Sequence, residues 1–421
     1  MNHDSTTFCL HPFTGLATRT DGAILACCRS QPVGWIQNES LEEIWNNENI
    51  CRIRQQVLNN QRPSECAACF NLEDQGVESL RQRHIKGIIP EARINLYPNA
   101  LDKLDKNYKL PFEFPTIEIK INNLCNLKCR MCHAVDSTSW DDFDQILEFY
   151  KADGNFITND YVNFNLKNKP YLDKFSDTDN WWSSFKKLLP YFKRVEFAGG
   201  EPLIDPIHYK ILDLLAPYGH NIEIKYATNG TTLGISKDRT IFNYWPKFKS
   251  VAVNLSIDGI DNTYEYIRGN GKWEDVKSNI YKIKKLSNIS RIVGAVAVQI
   301  NNIMTIDKMI EIFLKELEIV FYTNMVNYPS VLSIQVLPLE LKKIVEMRLH
   351  AIGEKIDTYP FVKKYPILSD LTKNQIKGIN NFLKANDKSH LWKSCIAYNK
   401  ILDSTRNQDF FKCNPEFIDY V

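Results

Sequence analysis

Eleven cysteines, unevenly placed along 421 residues, constrain this chain more than any other feature. Six lie in the first seventy residues, at Cys9, Cys27, Cys28, Cys51, Cys66 and Cys69, and three fall within eight residues, at Cys125, Cys129 and Cys132. Packing uses cysteine as an isolated small hydrophobe and gives no reason to cluster it. The opening MNHDSTTFCLHPF contains Asp4 and lacks the apolar stretch of a secretory signal, and no run of about 18 apolar residues occurs anywhere. The expected setting is therefore cytoplasmic, with no membrane partner. Thiols stay reduced there, so clustered cysteines read as metal or cluster ligands before they read as disulfides.

With 44% hydrophobic and 24% charged residues, the composition is that of a globular protein and excludes a disordered or collagen-like chain. Fifty-two Lys and Arg against fifty Asp and Glu leave a formal charge of +2, so nucleic acid is not an expected partner.

Residues 1–80 form a cysteine-rich module with turn signals at Asp21-Gly22 and Val33-Gly34. Ser40 and Glu43 have the spacing of a capping box, and Leu41, Ile44 and Trp45 then recur at helical intervals. Residues 81–114 lose periodicity, carry Pro90, Pro98 and Pro111, and read as a connection. From 115 to 340 short β-branched runs alternate with amphipathic segments. Strands are expected at Ile117–Ile121, Arg194–Ala198, Ile222–Thr228, Val251–Ile257, Ile292–Ile300 and Val331–Leu337, with helices at Tyr209–Leu215, Trp273–Leu286 and Ile306–Leu317. Such a chain makes an α/β sheet or partial barrel of mostly parallel strands, with reactive groups on the loops that follow them. An aromatic-rich excursion from 138 to 190 separates the first two strands, and 341–421 reads as a mainly helical tail.

Directly after the first strand stands Cys125-Asn126-Leu127-Lys128-Cys129-Arg130-Met131-Cys132-His133. Three thiolates at this spacing suit one face of a cubic iron-sulfur cluster and leave its fourth iron without a protein ligand, which is a place for chemistry. The competing reading is a zinc knuckle with His133 or a distant side chain as fourth ligand. After the second strand comes Gly199-Gly200-Glu201-Pro202, where two glycines admit a ligand to the backbone and Glu201 offers an acceptor for an ammonium group. Alone, that loop is equally a plain strand-to-helix turn.

In this order, the two motifs resemble those of the radical S-adenosylmethionine (SAM) superfamily, over about residues 115–340 of the chain. The resemblance implies a partial (β/α)6 barrel, with Cys125, Cys129 and Cys132 holding a 4Fe-4S cluster whose open iron SAM chelates. Reductive cleavage of SAM then yields a 5′-deoxyadenosyl radical that takes hydrogen from a substrate, the cofactor carrying the hard step. It further implies Gly199, Gly200 and Glu201 at the SAM amino group, Ser256 and Asp258 at the ribose or carboxylate, and Arg268 as a fork for the carboxylate, against a solvated surface charge. Thr228-Asn229-Gly230, Gln299 and Asn301 end the third and fifth strands, as cofactor contacts or as turn chemistry. One departure is Met131, where the family commonly has an aromatic residue near the adenine; a thioether also packs on a flat ring.

Cys9, Cys27, Cys66 and Cys69 can surround a second cluster completely, which suits electron transfer. The pattern resembles the twitch (short SPASM) auxiliary domain of radical SAM enzymes, which in most members follows the barrel and here precedes it. Cys28 competes with Cys27, and the spacing from Gly22 favours Cys27; zinc on the four thiols is the scaffold alternative. Cys28, Cys51, Cys395 and Cys413 are left to packing, as are Trp140, Trp181 and Trp182 against a substrate-stacking role. The expected enzyme carries two 4Fe-4S clusters and SAM, acts on a peptide or protein, and draws electrons from a donor such as flavodoxin or ferredoxin. A small aminosugar-like metabolite is the alternative substrate. A non-catalytic zinc or iron-sulfur interaction protein is the alternative from another class, disfavoured because a scaffold has no use for an open iron.

Overall fold

β-Branched runs bounded by turn residues become strands in the computed structural model, which describes residues 6–86, 97, 99–134, 136–142, 146 and 178–420. Most of the aromatic excursion, and Pro90 and Pro98 of the connection, lie outside the described residues. The chain divides into two units: Met1–Asn123 with Tyr171–Ala227 and Gly234–Ala252, and Leu124–Pro170 with Thr228–Leu233 and Val253–Val421.

The first unit begins with β1 (Gly15–Thr18), β2 (Ala23–Leu25) and β3 (Pro32–Trp35), paired antiparallel in that order. The β1–β2 turn is the one read at Asp21-Gly22, and Gly22 has φ +91, a conformation a side chain resists. Gly34 lies within β3 and makes no turn. Then β4 (Thr116–Lys120), β5 (Arg194–Ala198) and β6 (Glu223–Thr228) pair in parallel, residue for residue from Thr116↔Arg194 to Lys120↔Ala198 in the first pair. The cysteine-rich module is not strung on a tether, because β1 pairs in parallel with β4, Gly15 opposite Thr116 and Ala17 opposite Glu118. The pairing is close enough that a Cβ on Gly15 would stand 1.9 Å from the Thr116 carbonyl oxygen. Thr18 extends the ladder with its side chain, accepting from the Lys120 N–H at 2.8 Å.

Apolar side chains at alternate positions fill the core under this sheet, among them Ile117, Ile119, Val195, Phe197, Ile224 and Tyr226. Ser40 caps the helix Leu41–Trp45 through the full capping box with Glu43. Buried Arg54, on the helix Glu48–Leu58, donates to the carbonyls of Pro12, Trp45 and Tyr108, tying the module to the segment that enters β4. The helix Asp179–Leu188 buries Trp181 stacked on Phe185, so Trp181 is core. Two short strands, β7 (Gly234–Ser236) and β8 (Arg239–Thr240), form a small antiparallel pair.

β9 (Ser250–Ser256) passes from the first unit into the second. There β10 (Ile289–Val298) and β11 (Val320–Met325) pair in parallel from Val293↔Val320 to Val298↔Met325. The sixth strand of the repeated units is thus Val320–Met325, and the expected strand at Val331–Leu337 is instead two 3-10 turns, Ser330–Leu332 and Ile334–Val336. The physical cause is local: the Ser333 hydroxyl accepts from the Gln335 N–H and caps a turn in a run whose apolar residues are all buried regardless of conformation. The helix read at Ile306–Leu317 is α-helical over Ile306–Glu311 and widens to a π-turn over Ile312–Glu316. The tail is helical, with long helices Leu339–Lys355, Ile367–Lys384 and Trp392–Arg406. Gln375 of the second accepts from both the N–H and hydroxyl of Thr323, answering donors on β11. The architecture is α/β, with a parallel sheet core and a helical C-terminal region. Among the described residues, no helix is long and apolar enough to cross a membrane.

Candidate metal centres

The loop after β4 carries the cysteine triplet and belongs to the second unit. Its backbone is held from several sides. The Cys125 carbonyl accepts from the hydroxyls of Ser139 (2.7 Å) and Thr138 (3.3 Å), and the Leu127 carbonyl from Ser137 (2.6 Å). Trp140, fully buried, donates its indole N–H to the Cys129 carbonyl at 2.8 Å, which gives it a structural place beside the loop. Cys129 is buried and Cys125 and Cys132 are half-buried.

Cys129 and Cys132 hydrogen-bond one another, and this first of all pulls the Cys129 thiol down to about 6; the Arg268 guanidinium, donating to its sulfur at 3.2 Å, acts the same way against burial. The Cys132 thiol is pushed up by the same bond and by burial. A thiol lowered beside a guanidinium is suited to surrendering its thiolate to iron.

Arg268 is buried and not a solvated surface charge. It pairs with Asp258 at 3.0 Å, donates to the Ser256 carbonyl, and reaches Cys129, so its fork is committed to these three partners. Burial pushes the Asp258 carboxyl up, against Arg268 and the Ala297 N–H, which donates to it at 2.7 Å. Ser256, Asp258 and Arg268, read separately from the sequence, therefore meet at the Arg268 guanidinium, which in turn reaches the Cys129 sulfur. Met131 is half-buried on the same loop. His133 is buried between the rings of Trp140 and Tyr328, at 5.8 and 5.0 Å, and burial lowers its pKa. Thr228-Asn229-Gly230 shows turn chemistry, Thr228 and Asn229 accepting from the backbone two residues on. Asn301 donates to Asn399 of the tail at 3.1 Å and lies in a buried polar group with Gln299.

Sequence reading missed what the tail does. Arg130, between the second and third cysteines, is fully buried and paired with Asp403 of the helix Trp392–Arg406; Arg406 of that helix pairs with Asp142. An unexplained Arg between ligands and a carboxylate at a helical position in the tail were the only signals available.

Gly199, Gly200 and Glu201 belong to the first unit. Gly199 has φ +122, and a Cβ there would stand 3.1 Å from the Asn122 carbonyl oxygen. That carbonyl accepts from the Gly200 N–H at 3.0 Å. Buried Glu201 accepts from the Leu203 N–H at 3.0 Å and so caps the turn Pro202–Ile204. Asn122 in turn donates to Asp205, the N-cap of the helix Pro206–Leu215, at 2.7 Å. The glycine loop is thus a strand-to-helix connection with its backbone laid against the residues that follow β4.

The four thiols read as one set in the N-terminal module are mutual neighbours. Burial pushes the Cys27 thiol up to about 12, with Cys9 and then Cys69 adding to it, and Cys66 rises through burial and then Cys9, Cys27 and Cys69. After burial, Glu118 of β4 most pushes the Cys28 thiol up, and of the other cysteines Cys27 adds to it. Cys51 donates to the Asn46 carbonyl at 3.5 Å, outside the set, and Cys395 is buried beside Asn399. Burial and the neighbouring thiols both oppose ionisation of Cys27 and Cys66, an opposition relieved when metal takes up thiolate charge, a chemistry that fits an iron-sulfur cluster. Among the described residues, no three His, Cys, Asp or Glu side chains converge tightly enough to hold a single metal ion.

These sets coincide with two domain matches. Residues 119–311 match the radical SAM superfamily and contain the triplet, Gly199–Glu201, Ser256, Asp258 and Arg268. Residues 9–70 match the SPASM iron-sulfur cluster-binding domain and contain Cys9, Cys27, Cys66 and Cys69. The chain is also 25% identical over 155 residues to the 7,8-dihydro-6-hydroxymethylpterin dimethyltransferase of Methanocaldococcus jannaschii. That similarity takes in 36% of this chain and spans 24% of the relative's length. The chain therefore carries a radical SAM domain with a SPASM iron-sulfur domain ahead of it, which marks it as an enzyme and implies SAM and an iron-sulfur cluster as cofactors.

Proposed function

We propose that this enzyme cleaves SAM reductively and uses the resulting radical to take hydrogen from a peptide or protein. The observation that carries the reading is the Arg268 guanidinium, which joins Asp258 and the Ser256 carbonyl to the Cys129 sulfur within a cysteine loop of open-iron spacing. A 4Fe-4S cluster on Cys125, Cys129 and Cys132, with SAM bound, supplies a 5′-deoxyadenosyl radical. The protein's own work is to position and to exclude water. Arg268 holds the Cys129 sulfur and buries Asp258; Ser139 and Thr138 fix Cys125; Trp140 closes the loop's inner side. In this reading Gly199, Gly200 and Glu201 receive the SAM amino group, and Ser256, Asp258, Arg268 and Met131 are cofactor-binding residues.

We assign residues 1–80 as a twitch-type auxiliary domain, 81–114 as the connection, 115–340 as the barrel and 341–421 as its helical cover. Cys9, Cys27, Cys66 and Cys69 would hold an auxiliary 4Fe-4S cluster, which would serve to accept an electron from the substrate radical or to anchor the substrate. Flavodoxin or ferredoxin supplies the reducing electron in the cytoplasm. One observation favours a second reading, a small metabolite as substrate: the relative in Methanocaldococcus jannaschii is named for a pterin.

Iron and acid-labile sulfide counted on anaerobically purified protein test the two-cluster reading. About eight irons and a matching amount of sulfide per chain are expected. Zinc without sulfide sinks the reading, and about four irons sink the auxiliary cluster.

A further inference from the structure

Three consecutive carbonyls of the cysteine loop are each held by a side chain. Arg406 donates to the Lys128 carbonyl at 2.6 Å, Trp140 to that of Cys129 at 2.8 Å, and the Tyr398 hydroxyl to that of Arg130 at 2.9 Å. Two of the three donors come from the helix Trp392–Arg406, well over 250 residues further along the chain. Arg130 binds the same helix in the opposite sense. Its Nε donates to the Tyr266 carbonyl (3.1 Å), one terminal nitrogen to the backbone and side-chain oxygens of Asn399 (3.3 and 3.2 Å), and the other to Asp403 and to Gln408 (2.9 Å). The guanidinium also lies 3.6 Å from the centroid of the Tyr266 ring, and its backbone N–H donates to the Ile267 carbonyl at 2.9 Å. A guanidinium brings five N–H donors into the interior, and here each of its three nitrogens meets acceptors. The Arg130 side chain is itself 0% exposed, with Asp403 buried and Gln408 half-buried beside it.

We infer that Arg130 is a positioning residue, through which the C-terminal helix sets the shape of the cysteine loop and thereby the hold of Cys125, Cys129 and Cys132 on their cluster. The inference rests on the reading of those three cysteines as cluster ligands. Arg130 touches neither substrate nor cofactor; it acts through the backbone on either side of itself, which links Cys129 to Cys132. Residues that orient metal ligands without binding metal commonly contribute as much to retention as a ligand bond does to placement. Leaving Asp403 buried without its partner also costs stability, so the design of the test separates that effect.

The test uses the full chain, anaerobically loaded, and follows two quantities: thermal unfolding by circular dichroism, and release of iron to a chelator from the cluster whose paramagnetic signal responds to added SAM. Arg130→Met and Asp403→Asn are expected to speed that release by about 10- to 100-fold while the SAM-insensitive cluster releases iron at the wild-type rate. Lys393→Ala, exposed on the same helix, serves as control and leaves both rates unchanged. In the double variant Arg130→Met with Asp403→Leu, apolar side chains fill the buried site and recover the melting temperature. Fast iron release persisting in that variant identifies positioning. Release returned to the wild-type rate together with stability overturns it, as does wild-type release in both single variants. A wild-type protein with no SAM-responsive cluster overturns the ligand reading itself, and the inference with it.

Discussion

Changing Cys125, Cys129 and Cys132 together to Ala abolishes the formation of 5′-deoxyadenosine from SAM and leaves about four of the irons in place. The expected loss is total because, in this reading, the three thiolates are the attachment of the cluster, and Arg268 already holds the Cys129 sulfur in place. The remaining irons belong to the N-terminal set, which lies in a separate unit of the fold. Product formation and iron content, measured on the same preparation, check the prediction. Continued formation of 5′-deoxyadenosine by the triple variant removes the ligand assignment. Loss of all iron with the fold intact removes the independence of the two sets.

The second large effect is a contrast between neighbours. Cys27→Ala is expected to empty the auxiliary site, taking away about four irons, while Cys28→Ala keeps the full complement. The expectation rests on the neighbouring thiols: Cys9 and Cys69 help to push the Cys27 thiol up and Cys27 helps to push up Cys66, whereas after burial Glu118 is the main influence on Cys28. Iron counting with sulfide on the two variants decides it, and the reverse result transfers the ligand role to Cys28.

Much of this was legible because chemistry leaves its mark in spacing. The strands Arg194–Ala198 and Val251–Ile257 stand in the fold within one residue of where β-branched runs place them, and the Ser40–Glu43 capping box forms as its residue types dictate. The sixth strand was misplaced because a buried apolar run reads alike as strand or as turns, and a serine hydroxyl settled Val331–Leu337 as turns. The segment Val320–Met325 carried the alternation in plain view, with Phe321 and Thr323 buried between more exposed neighbours. What sequence could not supply was partnership across distance. Arg130 and Asp403 are 273 residues apart, and neither has a periodicity that names the other. For Arg268, the resemblance offered the SAM carboxylate and the alternative was solvent, whereas the fold places Asp258 and the Cys129 sulfur around it. The parallel pairing of β1 with β4 was equally hidden, since a strand of four residues with a glycine at its edge of closest approach has no signature of the partner it will meet.

The central claim is that this chain breaks SAM on an open iron held by the loop after β4. Its most direct measurement is 5′-deoxyadenosine formed when the anaerobically loaded wild-type enzyme is reduced with dithionite in the presence of SAM. Formation of that product, dependent on reductant and absent from the variant lacking all three loop cysteines, is the expected result; intact SAM in the presence of a fully reduced, iron-replete protein contradicts it.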